Sequence, residues 1–534
     1  MPSDDELRPG EQRAATASAR LRSHASATPD RVALHFGEQQ RTYASLERDV
    51  ARLAGGLSKL GVRPGDRVAV MLPNRPEYFV AVHAIWRLGA VLVPVNVLFR
   101  SEELAFVLAD SGAMALLAGP EQVRMVAADR ETLEGLAHVI TVGGPVGEGL
   151  TYDSVASAVP LEDVAIASAE QLAVIAYTSG TTGRPKGAML DHDHYRDAWL
   201  YISDALGLDA DDNVLQGLPA FHMNASAMGV LLALWLGSTA VLLERMTTQA
   251  LSLGLRTTAV SVFAPVPAVL TDFLEADPAL ADGLAAIRYA IVGSAPMTPT
   301  LRREVEERCG LRIVQAYGMT EATFIALDPL DEVVPTGAVG LPVDTTKVLL
   351  VDEGQLSRPG QPGEICLAAP DRPGRSGVRF RPIHGYWHDS EATAIAMAGG
   401  IFHTGDIGRF DDAGFLYLID RKKDMIIRGG NNVYPAELER ILGSDERVAL
   451  AAVIGVPHER LGEVPKAFVV LAEQDASLTD LRDTANARMS KFKRIELIEA
   501  IDAADVPRNA MGKVLKRELA RRDAGGHRAA ATAD

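Results

Sequence analysis

Cysteine is scarce, with only Cys309 and Cys366 in 534 residues. Two thiols cannot build a disulfide framework, and these two lie in no metal-ligand spacing. A reducing, cytoplasmic setting is the natural expectation. Long unbroken apolar runs are also missing. The most apolar stretch, Ala225 to Leu243, is interrupted by Ser226, Gly229, Gly237, Ser238 and Thr239. A membrane-spanning helix needs about 20 predominantly apolar residues. The stretch therefore predicts a buried helix followed by a strand, with no stable membrane insertion. Met1-Pro2-Ser3-Asp4-Asp5-Glu6 is acidic and lacks an apolar segment, so no signal peptide is expected. Positive net charge is absent too. A formal charge of −17 disfavours nonspecific nucleic-acid binding but leaves local basic pockets open. No internal repeat is visible.

What is present is a globular composition, 47% hydrophobic and 23% charged. The chain is too long for one ordinary core, so two or more domains are expected. After a polar, alanine-rich lead, Arg31–Phe36 and the following Gly37 predict the start of a hairpin. The apolar spacing from Thr42 to Leu60 predicts a helix, ended by Gly61 and the Pro64-Gly65-Asp66 turn. Strand Arg67–Leu72, helix Glu77–Leu88 and strand 89–94 form a βαβ unit, the mark of a parallel sheet covered by helices. The alternation recurs through helix Ser101–Asp110, strand Ala113–Leu117, helix Pro120–Ala128 and strand His138–Val142. It resumes later with helix His192–Leu206 and strands 213–216, 259–263 and 289–292. From Gly337 short strands and Pro/Gly turns, such as Lys347–Asp352 and Gly363–Ala368, predict a small β-rich subdomain. The charged run Asp420–Asp424 reads as a linker. Beyond it, residues 425–520 form an α+β pattern of their own: helix Pro435–Leu442, strands Val448–Val456 and Lys466–Ala472, and helix Leu478–Met489. The expected division is residues 1–420, a hinge at 421–424, a domain at 425–520, and a flexible Ala/Gly/Arg/Asp-rich tail at 521–534.

The most informative stretch is Thr178-Ser179-Gly180-Thr181-Thr182-Gly183-Arg184-Pro185-Lys186-Gly187, directly after the strand-like segment 172–177. Glycines let the backbone turn tightly and bring N–H groups to an anion. Hydroxyls add donors, and Lys186 adds a point charge. The spacing is not that of a Walker A loop, because Gly187 follows Lys186. Alone, such a loop is more often a flexible surface loop rich in small polar residues. In full it resembles the phosphate-loop signature of the adenylate-forming superfamily, which includes acyl-CoA synthetases, peptide-synthetase adenylation domains and luciferase-like enzymes.

Further segments resemble that family's motifs in the family's order, over residues 27–519. The resemblance implies a two-domain α/β fold: a large N-terminal part of two α/β subdomains and a small β subdomain, then a small mobile α+β domain. It implies an ATP-dependent carboxylic acid:CoA ligase that forms an acyl-AMP and then a thioester, using ATP, Mg²⁺ and CoA. Thr178, Ser179, Gly180, Thr181, Thr182, Gly183 and Lys186 would grip the departing phosphates. In Tyr317-Gly318-Met319-Thr320-Glu321, read locally as a turn opening a helix, Tyr317 would stack on adenine, Thr320 would bond a phosphate and Glu321 would hold Mg²⁺. Gly293, Ser294, Ala295 and Pro296 would wall the adenine and the acyl group. Asp406, in Thr404-Gly405-Asp406, would accept from the ribose hydroxyls, with Arg421 as basic partner and Lys423 as hinge. Gly429 and Gly430 would line the pantetheine path, and Lys513, in Pro507–Val514, would bridge carboxylate and α-phosphate during adenylation. His222 matches an aromatic gate beside the acyl carboxylate. No nucleophile elbow accompanies it, so it belongs to no serine triad. Met223, Asn224 and Ser226 join His222 and Gly293 as acyl-pocket candidates. Segment His384–Asp389 is only a near match. The partner implied is a small-molecule carboxylic acid. A homodimer is compatible with this reading and is not required by it. Transfer to a carrier protein, an amine or another nucleophile remains the alternative to CoA.

Overall fold

The computed structural model describes residues 16–128, 133, 135–161, 171–178, 185–274, 284, 287–295, 297–429, 431–472, 476–508 and 514–531. Ala128, Asn224 and residues 524–531 are described by backbone alone. The chain divides into two compact units, Met1–Lys347 with Leu367–Phe402, and Val348–Cys366 with His403–Asp534. Among the described residues no helix is long and apolar enough to cross a membrane.

The first unit holds two large sheets. One has seven strands in the order Leu150–Thr151, His138–Thr141, Ala115–Ala118, Arg67–Met71, Val91–Pro94, Leu172–Thr178 and Lys186–Asp191. All its pairs are parallel except the last, where Thr178 faces Lys186 across an antiparallel hairpin. Its central strands, Arg67–Met71, Val91–Pro94 and Ala115–Ala118, are largely apolar and buried on both faces, as in a helix-covered parallel sheet. The Tyr43–Lys59 helix shows the local cause. Thr42 caps it by accepting from the Ser45 N–H, and Leu46, Val50, Leu53, Ala54 and Leu57 fall on one buried face.

The second sheet has nine strands and centres on Asn213–Gln216, Val260–Phe263, Tyr289–Val292 and Ile313–Met319. The N-terminal hairpin, Val32–Phe36 with Gln39–Thr42, joins this sheet beside Ala240–Leu242. Two expectations are corrected in this unit, and one strand is added. Tyr317 and Gly318 do not open a helix; strand Ile313–Met319 turns straight back into strand Ala322–Leu327. The apolar stretch is two short helices, Met223–Ala227 and Val230–Leu236, before strand Ala240–Leu242, since Gly229 and Gly237 each start or stop a helix. Lys186–Asp191, unassigned from sequence, is a strand.

The second unit contains a β-sheet and an α+β body. The sheet runs Gln355–Leu356, Lys347–Asp352, Gly363–Ala368, Phe402–Phe410 and Leu416–Arg421. The body pairs Val448–His458 with Gly462–Leu471 in a long hairpin, flanked by Ile426–Arg428 and Leu497–Ala500. Helices Pro435–Leu442 and Leu478–Ala487 pack on it through Leu438, Ile441, Leu442 and Leu481. Helix Lys516–Ala531 follows, with Leu519 in a second small core beside Ile454 and Phe468. The Lys422–Asp424 segment is a single 3₁₀ turn.

Candidate functional site

In the first unit the chemistry gathers at the base of the phosphate-loop hairpin. Ser179, Gly180, Thr181, Thr182 and Gly183 lie outside the described residues. Thr178 and Lys186, the last rung, are within them, and the Thr178 hydroxyl donates to the Lys186 carbonyl at 3.5 Å. The neighbouring segment His384–Trp387 lies along the same strand. The N–H groups of His384 and Trp387 donate to the carbonyls of Met189 and Gly187, and the Gly385 carbonyl accepts from Met189 N–H. Trp387 Nε1 anchors this segment to the Asp110 carbonyl at 2.9 Å.

Tyr386 then reaches two motifs at once. Its hydroxyl donates to Glu321 Oε1 at 2.9 Å, and its ring lies under the Lys186 ammonium, 5.4 Å from the ring centroid. Burial first, and then the Glu321 carboxylate, push the phenol well above its ordinary pKa, so it stays a donor.

Thr320 and Glu321 form the tip of the hairpin between Ile313–Met319 and Ala322–Leu327, and Glu321 is buried. The turn is also braced from helix His192–Leu206. His194 Nε2 lies 2.8 Å from Thr323 Oγ1, and the ring also bonds the Thr320 main chain. Burial pushes the His194 pKa down to about 4, so the ring is neutral, one nitrogen donating and the other accepting. Gly318 is required by close approach: a Cβ there would sit 1.9 Å from the Thr323 carbonyl oxygen. Tyr317 is buried in the preceding strand. Met319 closes that strand and pairs with Ala322. Glu321 and the Thr320 hydroxyl form an oxygen-only donor set, which fits a hard cation such as Mg²⁺.

Gly293, Ser294 and Ala295 follow directly on strand Tyr289–Val292, and Ser294 takes a left-handed φ of 67°. A non-glycine residue there is uncommon. Pro296 lies outside the described residues. His222 is partly buried against the Phe221 ring, 4.5 Å between centroids. Its Nε2 has no hydrogen-bond partner among the described residues, and burial lowers its pKa to about 4. Met223 is buried and accepts from the Tyr78 hydroxyl at 3.9 Å. Ser226 is fully buried and spends its hydroxyl on the Ala220 carbonyl at 2.6 Å, so it braces the loop and does not line a pocket. The side chain of Asn224 lies outside the described residues.

In the second unit Asp406 and Arg421 face each other across adjacent strands and form an ion pair, 2.9 Å from Arg421 Nε to Asp406 Oδ1. Thr404 fixes the turn before them. Its hydroxyl donates to the Ile365 carbonyl and accepts from Asp406 N–H. Below lies a polar cluster that the sequence spacing did not suggest. Glu364, Cys366 and His403 bring metal-ligating atoms within 4.8 Å of one another. The Lys422 ammonium already occupies Glu364 at 2.9 Å, and His403 Nδ1 lies 3.0 Å from the same carboxylate oxygen. Burial opposes the Glu364 charge, yet these hydrogen bonds outweigh it and hold its pKa below the usual value. Burial pushes the Cys366 thiol up to about 12. The cluster is a satisfied ion-paired network under the Asp406 turn.

Further along this unit, Gly429 takes φ 56° and donates its N–H to the Leu461 carbonyl at 2.7 Å. That left-handed conformation favours glycine. Gly430 and Lys513 lie outside the described residues. Of the residues flanking Lys513, Arg508 and Val514 form a β-bridge and the Leu515 N–H donates to the Pro507 carbonyl at 2.8 Å.

Residues 21–372 match the AMP-binding enzyme family, and residues 437–513 match the AMP-binding enzyme C-terminal domain. The chain belongs to this family of adenylate-forming enzymes. It is 36% identical over 503 residues to a feruloyl-CoA synthase of an Amycolatopsis species, covering 93% of this chain and 96% of that one. Its structure is similar to that of the anthranilate CoA ligase AuaEII in complex with anthranoyl-AMP, with a TM-score of 0.85, 25% identity, and 99% and 100% of the two chains covered. It is also similar to the o-succinylbenzoate CoA synthetase of Bacillus subtilis in complex with ATP and magnesium ion, with a TM-score of 0.80, 30% identity, and 94% and 98% covered.

Sequence reasoning missed Tyr386 and His194. Both contact the Thr320–Glu321 hairpin across the fold, and no local pattern marks His194. The near-match segment His384–Asp389 was the one signal that could have led to Tyr386.

Proposed function

We propose that this protein is an ATP-dependent carboxylic acid:CoA ligase. The observation that carries this reading is the meeting of Lys186 and Glu321 on one side chain, Tyr386. An anion-gripping cation and a hard carboxylate are thereby held together, as a metal-bound polyphosphate demands. Similarity to CoA ligases over nearly the whole chain supports it.

In the first half-reaction the substrate carboxylate attacks the α-phosphorus of ATP and pyrophosphate leaves. Lys186 and the loop Thr178–Gly183 hold the departing phosphates. Glu321, with Thr320 beside it, would hold Mg²⁺, which would neutralise phosphate charge. Tyr317 and the Gly293–Pro296 turn flank adenine and acyl group. Asp406, oriented by Arg421, accepts from the ribose hydroxyls. His222, neutral and apolar-walled, gates the acyl carboxylate, and Lys513 stabilises the charge developing between carboxylate and phosphate. In the second half-reaction the CoA thiolate attacks the acyl carbonyl and AMP leaves, with Gly429 and Gly430 bordering the pantetheine. Residues 1–420, a hinge at 421–424 and residues 425–520 are the moving parts of this scheme.

The relatives named above take acids bearing an aromatic ring, so a panel led by ferulic, anthranilic and o-succinylbenzoic acids, with aliphatic acids for comparison, tests the function. Pyrophosphate and AMP release are measured with and without CoA. The expected result is pyrophosphate formation with some acids, and AMP and thioester only when CoA is added. Efficient AMP release with an amine or a carrier protein, and none with CoA, would overturn CoA as acceptor. No pyrophosphate with any acid would overturn the ligase reading.

A further inference from the structure

Glu321 and Lys186 belong to motifs far apart in the chain, and nothing in either motif specifies their spacing. The fold places Tyr386 between them. Its backbone is held as an extra rung beside the phosphate-loop hairpin, through the bridge to Ala188 and the hydrogen bonds of His384, Gly385 and Trp387. The segment is pinned further by Tyr386 N–H donating to Thr393 Oγ1 at 2.8 Å and by Trp387 Nε1 on Asp110. The backbone from which the side chain springs is thus held in place. The side chain then makes two contacts of different kinds: a phenol donating to a carboxylate oxygen at 2.9 Å, and a ring face under an ammonium at 5.4 Å. The first orients a carboxylate as an outer partner orients a metal ligand. The second steadies a long, flexible lysine by cation–π attraction.

We propose that Tyr386 is a positioning residue that sets the Glu321 carboxylate for the nucleotide-bound metal and, through its ring, holds Lys186 for the outer phosphates. This rests on the ligase reading above. The two contacts are separable. Tyr386→Phe removes the hydroxyl and keeps the ring, whereas Tyr386→Leu removes both. His194 braces the same turn independently, from helix His192–Leu206.

The test is a binding measurement on the full-length protein, free of catalysis. Mn²⁺ standing in for Mg²⁺ is titrated into enzyme with α,β-methylene-ATP, which cannot release pyrophosphate, and followed by water-proton relaxation. Nucleotide affinity is measured separately in EDTA, and thermal midpoints check folding. Tyr386→Phe is expected to weaken Mn²⁺ binding about 10-fold while leaving metal-free nucleotide affinity within about twofold of wild type. Tyr386→Leu is expected to lose Mn²⁺ affinity equally and to weaken metal-free nucleotide binding about threefold or more. If Tyr386→Phe binds Mn²⁺ like wild type while Glu321→Gln does not, the positioning role is overturned and the ligase reading stands. If Glu321→Gln also binds Mn²⁺ like wild type, the metal assignment behind both fails. If Tyr386→Leu and Tyr386→Phe bind metal-free nucleotide alike, the Lys186 half is refuted.

Discussion

At the scale of single residues, several histidines are defined by burial. His83 is fully buried, packs edge-on against Trp86, and has neither ring nitrogen bonded among the described residues. Burial, then the Arg87 charge, lower its pKa to about 3, while burial lowers His192 and His194 to about 4. These rings stay neutral in the folded protein. The unfolded chain takes up their protons below about pH 6.5. Their contribution to stability is therefore present above that pH and is lost as pH falls toward 4, by up to about 1.4 kcal/mol per pH unit for each. The thermal midpoint is expected to drop between pH 7 and pH 5. His83→Leu should flatten that decline and raise the midpoint at pH 7, because two buried polar atoms without partners are removed. Parallel profiles for variant and wild type would show that His83 is not involved. Catalysis is argued at the same scale. Lys513→Ala is expected to cut adenylation about 100-fold or more and to spare thioester formation from supplied acyl-AMP. Equal loss of both half-reactions, measured by pyrophosphate release and by thioester yield, would remove Lys513 from the first step.

At the scale of elements, the hairpin carrying Thr320 and Glu321 depends on Gly318. A methyl group there meets a main-chain carbonyl that cannot swing aside. Gly318→Ala should push the two strands apart and displace Glu321. A misplacement of about 1 Å can cost about 100-fold in rate. Pyrophosphate exchange is expected to fall on that order while circular dichroism is retained; unchanged exchange would show that the hairpin yields without cost. Helices and buried strands were legible where periodicity and caps agree, as in His192–Leu206, which starts on the Asp191 cap and stops at left-handed Gly207. The Tyr317–Glu321 segment was misread because its strand ends in a polar turn, and only pairing with Ala322–Leu327 reveals it. The strand Lys186–Asp191 was hidden for a related reason. Its partner, Leu172–Thr178, lies across the glycine-rich loop.

At the scale of the whole molecule, the proposed alternation between half-reactions turns on the 421–424 segment. Lys423 sits in a lone 3₁₀ turn between strands Leu416–Arg421 and Ile426–Arg428. Proline there restricts φ and removes an N–H. Lys423→Pro is expected to slow thioester formation far more than adenylation, and an unchanged ratio of the two rates would refute the hinge. The sequence by itself determined the family, the order of its motifs and most of the covered strands and helices. Those rest on local chemistry: glycine and hydroxyl content, apolar period, caps and turns. Tertiary structure decided which distant groups meet. It set Tyr386 between Lys186 and Glu321, His194 behind Thr320, Asp406 against Arg421, and the N-terminal hairpin on the second sheet. Each of those contacts joins residues whose separation along the chain carries no periodic signal, so only the packing of sheets and segments could reveal them.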